Sequence, residues 1–278
     1  MSGASAVVTG AASGFGLGLA AECAARGMRV ALLDRDGERV RAEAANLAGE
    51  YGVDAFGMAV DVADDTAVRA AADAVRDRFA RADLVVSNVG VQLFGAVERL
   101  TDAEWQWVLD VNVVGSARVA RAFLPLLRET PGARLAFTAS SGVLAPASRM
   151  AAYQASKFAV VGLAETLRLE LHDEHVTVTV VFPSGMVSRH LETSEAAQPE
   201  HLHRSIAEPE DFAAMHASNP DLAASVIDPR QAAANVMAAL LRGDRYAITH
   251  GDLTQAVDER HQAMRQAAVE ARDAAKTA

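Results

Sequence analysis

The 278-residue chain is 51% hydrophobic, enough to bury one large core, and its length allows one or two domains. Lys and Arg number 26 against 36 Asp and Glu, a formal net charge of -10 with no basic stripe, and such a surface argues against nucleic acid as a partner. The one cysteine, Cys23, excludes an internal disulfide, fits a reducing compartment and sits in a helix-like run where packing is its expected role.

The chain enters an apolar run, residues 6–9, almost at once. No basic region followed by a long apolar stretch precedes it, so neither a signal peptide nor a membrane span is expected, and a soluble cytoplasmic protein is. The run closes in Thr9-Gly10-Ala11-Ala12-Ser13-Gly14-Phe15-Gly16 and opens a helical stretch. Glycines at Gly10, Gly14 and Gly16 let the backbone turn sharply and approach a pyrophosphate, to which the helix N-terminus offers unpaired N–H groups. A glycine triplet alone is weak, but this one lies between strand and helix, the context the motif requires.

The next apolar run, 30–33, ends at Asp34. A carboxylate here accepts hydrogen bonds from the ribose hydroxyls of NAD and repels the 2′-phosphate of NADP, so NAD is the expected cofactor, although Arg35 follows directly and could pair with a phosphate. Run 56–60 is followed by Asp61, placed to hold an adenine amino group or simply to form a turn. Runs 84–86, 135–138 and 176–182 come next, with Ala-, Arg- and Glu-rich helical stretches such as 36–51 and 64–80 between runs. This alternation, with runs apolar enough for burial on both faces, predicts a single-domain α/β doubly wound parallel sheet covered by helices.

Trp105 and Trp107 open the helix that carries Asn112; two residues apart, at most one of them faces the core. Ser140 and Ser141 follow the 135–138 strand, where ligands of open α/β sheets sit. Thirteen residues beyond Ser140 comes Tyr153-Gln154-Ala155-Ser156-Lys157. Tyrosine and lysine four apart share a helix face, and a nearby ammonium would lower the phenol pKa from about 10, making Tyr153 a competent acid/base.

Segment 184–228 breaks the rhythm. It is polar, carries His190, His201, His203 and His216 with three prolines, and reads as a lid with short helices of its own. Its histidines match no metal-ligand spacing, so no metal is expected. Pro229 then opens a helix, 245–249 adds a strand, and 252–278 is a charged helical extension, able to clamp the active site or cap the surface.

Together these motifs resemble the short-chain dehydrogenase/reductase family: the Thr9-to-Gly16 turn, Asn88-Val89-Gly90 after the fourth strand, Asn112, Ser140, and Tyr153 with Lys157. The likeness runs from Thr9 to about Thr249. It implies Tyr153 as acid/base, Ser140 polarising the carbonyl, Lys157 also on the nicotinamide ribose, and Asn112 holding a relay water. Without the resemblance, Asn112 reads equally well as a helix-surface residue. The resemblance also implies Asn88 tying central strands together, and Ser13, Phe15, Val62, Gly90, Pro183 and Met186 along the cofactor. Val89 stands where the family usually has alanine. Ser184 replaces the usual glycine of a Pro-Gly pair, and Ser188 takes the place of a threonine that bonds the carboxamide.

The expected reaction is NAD-dependent interconversion of a hydrophobic, even bulky or aromatic, secondary alcohol and its ketone. An apolar pocket lined by Val91, Leu93, Val143, Leu144, Ala145, Met186 and Leu191 supports it, with Arg149, Arg189 and His190 as the polar contributors. An epimerase or dehydratase using the same nicotinamide, and a non-catalytic nucleotide sensor, are the alternatives. The resemblance also implies a homo-tetramer or homo-dimer, with no membrane partner.

Overall fold

Seven apolar segments form seven parallel strands: β1 Ser5–Thr9, β2 Arg29–Asp34, β3 Ala55–Ala59, β4 Leu84–Ser87, β5 Arg134–Thr138, β6 Thr177–Phe182 and β7 Tyr246–Ile248. They lie in one sheet of order β3-β2-β1-β4-β5-β6-β7. This is a computed structural model that describes residues 3–202, 204–220 and 225–277; His203 of the lid lies outside the described residues. The strands depart from the expected runs by a residue or two. β3 stops at Ala59, and β7 is shorter than 245–249 because it pairs along one side only, with β6.

Helices cover both faces. On one, α3 Asp65–Phe79, α5 Gly115–Arg128 and α6 Ala151–Glu170 bury Val75, Phe123, Leu127, Val160 and Ala164 against Val85, Leu135 and Val180. On the other, α1 Gly14–Ala25, α2 Gly37–Tyr51 and the helix Pro229–Arg242 bury Leu19, Cys23, Leu47, Val236 and Met237 against Val8, Leu32 and Val86. Val8 lies in register between Leu32 and Val86, so alternate residues of the central strands feed opposite cores. Local chemistry starts these helices: Asp36 accepts the Arg39 N–H at 3.0 Å, and Asp64 accepts from Thr66 at 2.8 Å.

The helix expected to run through Asn112 is instead interrupted. α4 Asp102–Leu109 passes through a π-helical turn, Asp110–Val114, into α5. Such an insertion widens one turn and rotates the side chains beyond it about the helix axis. The lid contributes α7 His190–Ala196 and α8 Pro209–Ser218. Pro229–Arg242 is α9, capped by Asp228, and Thr254–Thr277 is α10. The first turns of α10 meet the body: Arg260 donates to the Val143 carbonyl and stacks on Phe158 at 4.8 Å, while Met264 beyond it is 67% exposed. Through Arg260, α10 holds the loop at Val143 beside the active site. Among the described residues, no helix is long and apolar enough to cross a membrane.

Candidate active site

The C-terminal ends of β1, β2, β4, β5 and β6 open onto one cleft of about 1480 Å³. Its floor is the glycine turn. Gly10 and Gly14 take φ of +65° and +56°, a region that favours glycine. At Gly16 the constraint is space: a Cβ would stand 2.1 Å from the Gly10 carbonyl oxygen and 2.6 Å from Asn88 Nδ2. Ser13 precedes α1 in extended backbone without capping it through its side chain, leaving the first N–H groups of α1 open toward the cleft.

Asp34 ends β2 at the cleft rim, where Oδ2 accepts the Ala12 N–H and Oδ1 the Asp36 N–H, both at 3.0 Å. Each oxygen keeps acceptor capacity for a ribose hydroxyl. Exposed Arg35 lines the rim beside it, and Arg39, which no sequence motif singles out, donates to the Ala12 carbonyl at 2.7 Å. Asp61 and Val62 also line the cleft, and Asp61 closes a turn by accepting the Ala63 N–H at 2.9 Å. Asn88 ties strands as expected: Nδ2 donates to the Thr9 carbonyl at 3.1 Å, and Oδ1 accepts the Thr138 hydroxyl at 3.0 Å. Phe15, Gly90, Pro183, Met186 and Ser188 complete this side.

Deeper in, Ser140 and Tyr153 come together. Ser140 stands in extended backbone at the head of a short 3-10 turn, its Oγ accepting the Gly142 N–H at 3.1 Å. Ser141 is buried, which leaves Ser140 as the serine within hydrogen-bonding reach of Tyr153. Tyr153 is 6% exposed, and burial raises its pKa, while hydrogen bonds from Ser140 and Gln92 pull the other way. This corrects the expectation that Lys157 sets the phenol pKa. The Lys157 ammonium lies 5.7 Å from the Tyr153 ring centroid and donates to the Thr138 carbonyl at 3.0 Å; burial lowers its own pKa to about 8. Gly90 admits it: a Cβ there would stand 2.9 Å from Nζ.

Asn112 is wholly buried, not a surface residue. The π turn swings it inward, where Nδ2 donates to the Val91 carbonyl at 3.0 Å and to Ser156 Oγ at 2.8 Å, and Oδ1 accepts the Val91 N–H at 2.8 Å. Both amide hydrogens are thus committed to protein atoms, and the side chain braces the loop after β4 against α6.

The substrate end is lined by Phe94, Met150, Leu191, Met215 and both tryptophans. Val91, Ala145 and Met186 line the cleft as expected; Leu93, Val143 and Leu144 do not. Leu93 and Val143 turn into the core, and Leu144 faces a separate small pocket under α10. Trp107 is buried and Trp105 packs against the same cluster, because both reach one apolar groove from α4. Two ionic latches hold the lid: buried Glu104 pairs with Arg204, and buried Asp211 with Arg99 and, at 3.6 Å, Arg149. Arg149 and Arg189, which pairs with Glu192, are thereby committed to carboxylates. His190, His201 and His216 line the cleft, and burial together with the Lys157 charge holds His190 down at about 4. Gln92 carries no signal in the sequence because its role depends on a loop path that no periodicity encodes.

A doubly wound sheet with a glycine turn at its switch point and a Ser–Tyr–Lys cluster beside it defines a nucleotide-dependent class of α/β protein. The sequence profile described as short chain dehydrogenase matches residues 4–199. The chain belongs to the short-chain dehydrogenase/reductase family and is an oxidoreductase by that membership. It is 36% identical to D-threitol dehydrogenase of Mycolicibacterium smegmatis over 188 residues, 68% of this chain and 72% of that protein. Among solved structures, a short-chain dehydrogenase/reductase from Burkholderia phymatum in complex with NAD superposes with a TM-score of 0.85 at 30% identity, covering 95% of each chain. An alcohol dehydrogenase from Thermococcus sibiricus complexed with 5-hydroxy-NADP gives 0.71 at 26% identity, covering 88% of this chain and 95% of that one.

Proposed function

We propose that the chain is one catalytic domain that interconverts a hydrophobic secondary alcohol and its ketone, with NAD preferred over NADP. The observation that carries this reading is that Ser140, Tyr153 and Lys157 line one end of a cleft whose other end is the glycine turn and Asp34. The residues fit a dinucleotide: open α1 N–H groups face the pyrophosphate position, Asp34 the adenosine ribose, and Lys157 the nicotinamide ribose. When bound, the nicotinamide supplies the hydride acceptor or donor. Tyr153 takes the hydroxyl proton during oxidation and returns it during reduction, Ser140 donates to the carbonyl oxygen, and Ser188 is placed for the carboxamide. Apolar walls at Phe94, Met150, Leu191 and Met215 favour a substrate body without charge. A relative named for threitol and a neighbour titled an alcohol dehydrogenase support an alcohol substrate. Exposed Phe158 and Leu169 on α6 support a homo-tetramer or a homo-dimer.

Steady-state reduction of NAD⁺ and NADP⁺ with a panel of aliphatic and aryl secondary alcohols tests the reading. Turnover with NAD⁺ well above NADP⁺ is expected. In Asp34→Ser the ratio of the two kcat/KM values should fall by about 100-fold, the loss of two hydrogen bonds to a charged acceptor. An unchanged ratio would show that Asp34 does not select the cofactor.

A further inference from the structure

Ser140 is aimed by the loop that follows it. Its Oγ accepts the Gly142 N–H at 3.1 Å, which occupies one lone pair and leaves the hydroxyl proton for an oxygen in the cleft. Gly142 is held in turn by Gln154, the residue after Tyr153 on α6. With its amide oriented to match both neighbours, Gln154 Nε2 donates to the Gly142 carbonyl at 2.8 Å and Oε1 accepts the Ala147 N–H at 3.2 Å. Gln154 is buried, and Gly142 lies flat against it: a Cβ there would stand 2.9 Å from the Gln154 amide. The rest of the loop has other supports. Ser141 N–H donates to the Pro183 carbonyl at 2.8 Å, Arg260 to the Val143 carbonyl, and Asn219 Nδ2 to the Ala145 carbonyl at 3.0 Å. Loss of Gln154 therefore frees Gly142 and Ala147 rather than the whole loop.

We propose that Gln154 is a positioning residue for Ser140, so that one helix, α6, sets both hydroxyls that meet the substrate oxygen. Tyr153 is placed directly, and Ser140 through Gln154 and Gly142. Without the amide, the Gly142 carbonyl and the Ala147 N–H lose these partners and Gly142 turns to find others. Ser140 then loses the donor that orients it, and its bond to the substrate oxygen is misaimed. The cofactor end does not follow, because Asn88 donates to the Gly10 carbonyl at 3.4 Å and Lys157 is anchored on the Thr138 carbonyl. This inference rests on the hydride-transfer reading above.

Gln154→Glu and Gln154→Met test the role. A protonated carboxyl keeps both hydrogen bonds, whereas a carboxylate cannot donate to the Gly142 carbonyl. The assay is NADH-dependent reduction of the ketone that corresponds to the best alcohol of the panel. At about pH 9 both variants should lose about 10-fold in kcat/KM, the effect of one hydrogen bond, with the NADH Kd within about twofold of wild type. Relative to wild type at each pH, the loss in Gln154→Glu should shrink toward about pH 5.5 as the carboxyl protonates, and in Gln154→Met it should stay constant. Wild-type kcat/KM in Gln154→Met, or a loss in Gln154→Glu of the same size at every pH, overturns the proposal. Where a Gln154 variant does not fold, Gly142→Ala presses a Cβ into the same amide: a 10-fold loss of the order above at unchanged NADH Kd upholds the role, and wild-type kcat/KM overturns it. If no alcohol of the panel reduces NAD⁺, hydride transfer fails for this class, and positioning is read from amide hydrogen exchange in the peptide 141–147. Faster exchange there in Gln154→Met, with β1 unchanged, upholds the role, and wild-type exchange overturns it.

Discussion

Tyr153→Phe is expected to lower kcat by about 10³-fold while leaving the NADH Kd within about twofold. The substitution removes one oxygen from a ring that is already 6% exposed, so packing is kept. Lys157 stays anchored on the Thr138 carbonyl, and the glycine turn is untouched. Only the hydroxyl proposed to transfer the proton is gone. Burial pushes the phenol upward and the Ser140 and Gln92 hydrogen bonds pull it back, so alcohol oxidation, which needs the phenolate, gains as pH rises. Ketone reduction, which needs the phenol, gains as pH falls. Steady-state kinetics with a fluorescence titration of NADH checks both halves; turnover within tenfold of wild type would remove Tyr153 from the chemistry.

Gly16→Ala should weaken NADH binding by more than about 100-fold. The added Cβ meets the Gly10 carbonyl oxygen at 2.1 Å and Asn88 Nδ2 at 2.6 Å, and the first of these is backbone, so the turn itself has to open. Opening it withdraws the α1 N–H groups from a pyrophosphate. Gly49→Ala in α2 is the control, since nothing lies within 4 Å of its added Cβ and alanine favours the helix. NADH affinity measured by fluorescence should separate the two variants; equal affinities would mean that the turn does not hold the dinucleotide.

The strands were readable because parallel strands buried on both faces need continuous apolar runs, and each run here became a strand. Gly16, Ser140, Tyr153 and Lys157 were readable because backbone clearance, strand ends and helix spacing fix their positions, whereas the strand-tying role of Asn88 came only from the family resemblance. The inward turn of Asn112 was not, since a π insertion is set by how α4 packs on α6 rather than by local pattern. Leu93, Val143 and Leu144 were misplaced for a related reason: apolar residues in loops look alike whether they face a cleft or a core. The phenol pKa went against expectation because spacing reports proximity, whereas the shift reports burial.

The most direct test of hydride transfer is mass spectrometry of the nicotinamide product formed from NAD⁺ and carbinol-deuterated secondary alcohols. One deuterium in NADH, matched mole for mole by ketone, is the expected result. Epimerised or dehydrated alcohol with no NADH released would contradict a dehydrogenase and point to a nicotinamide used only transiently, and NAD⁺ binding without any conversion would point to a sensor.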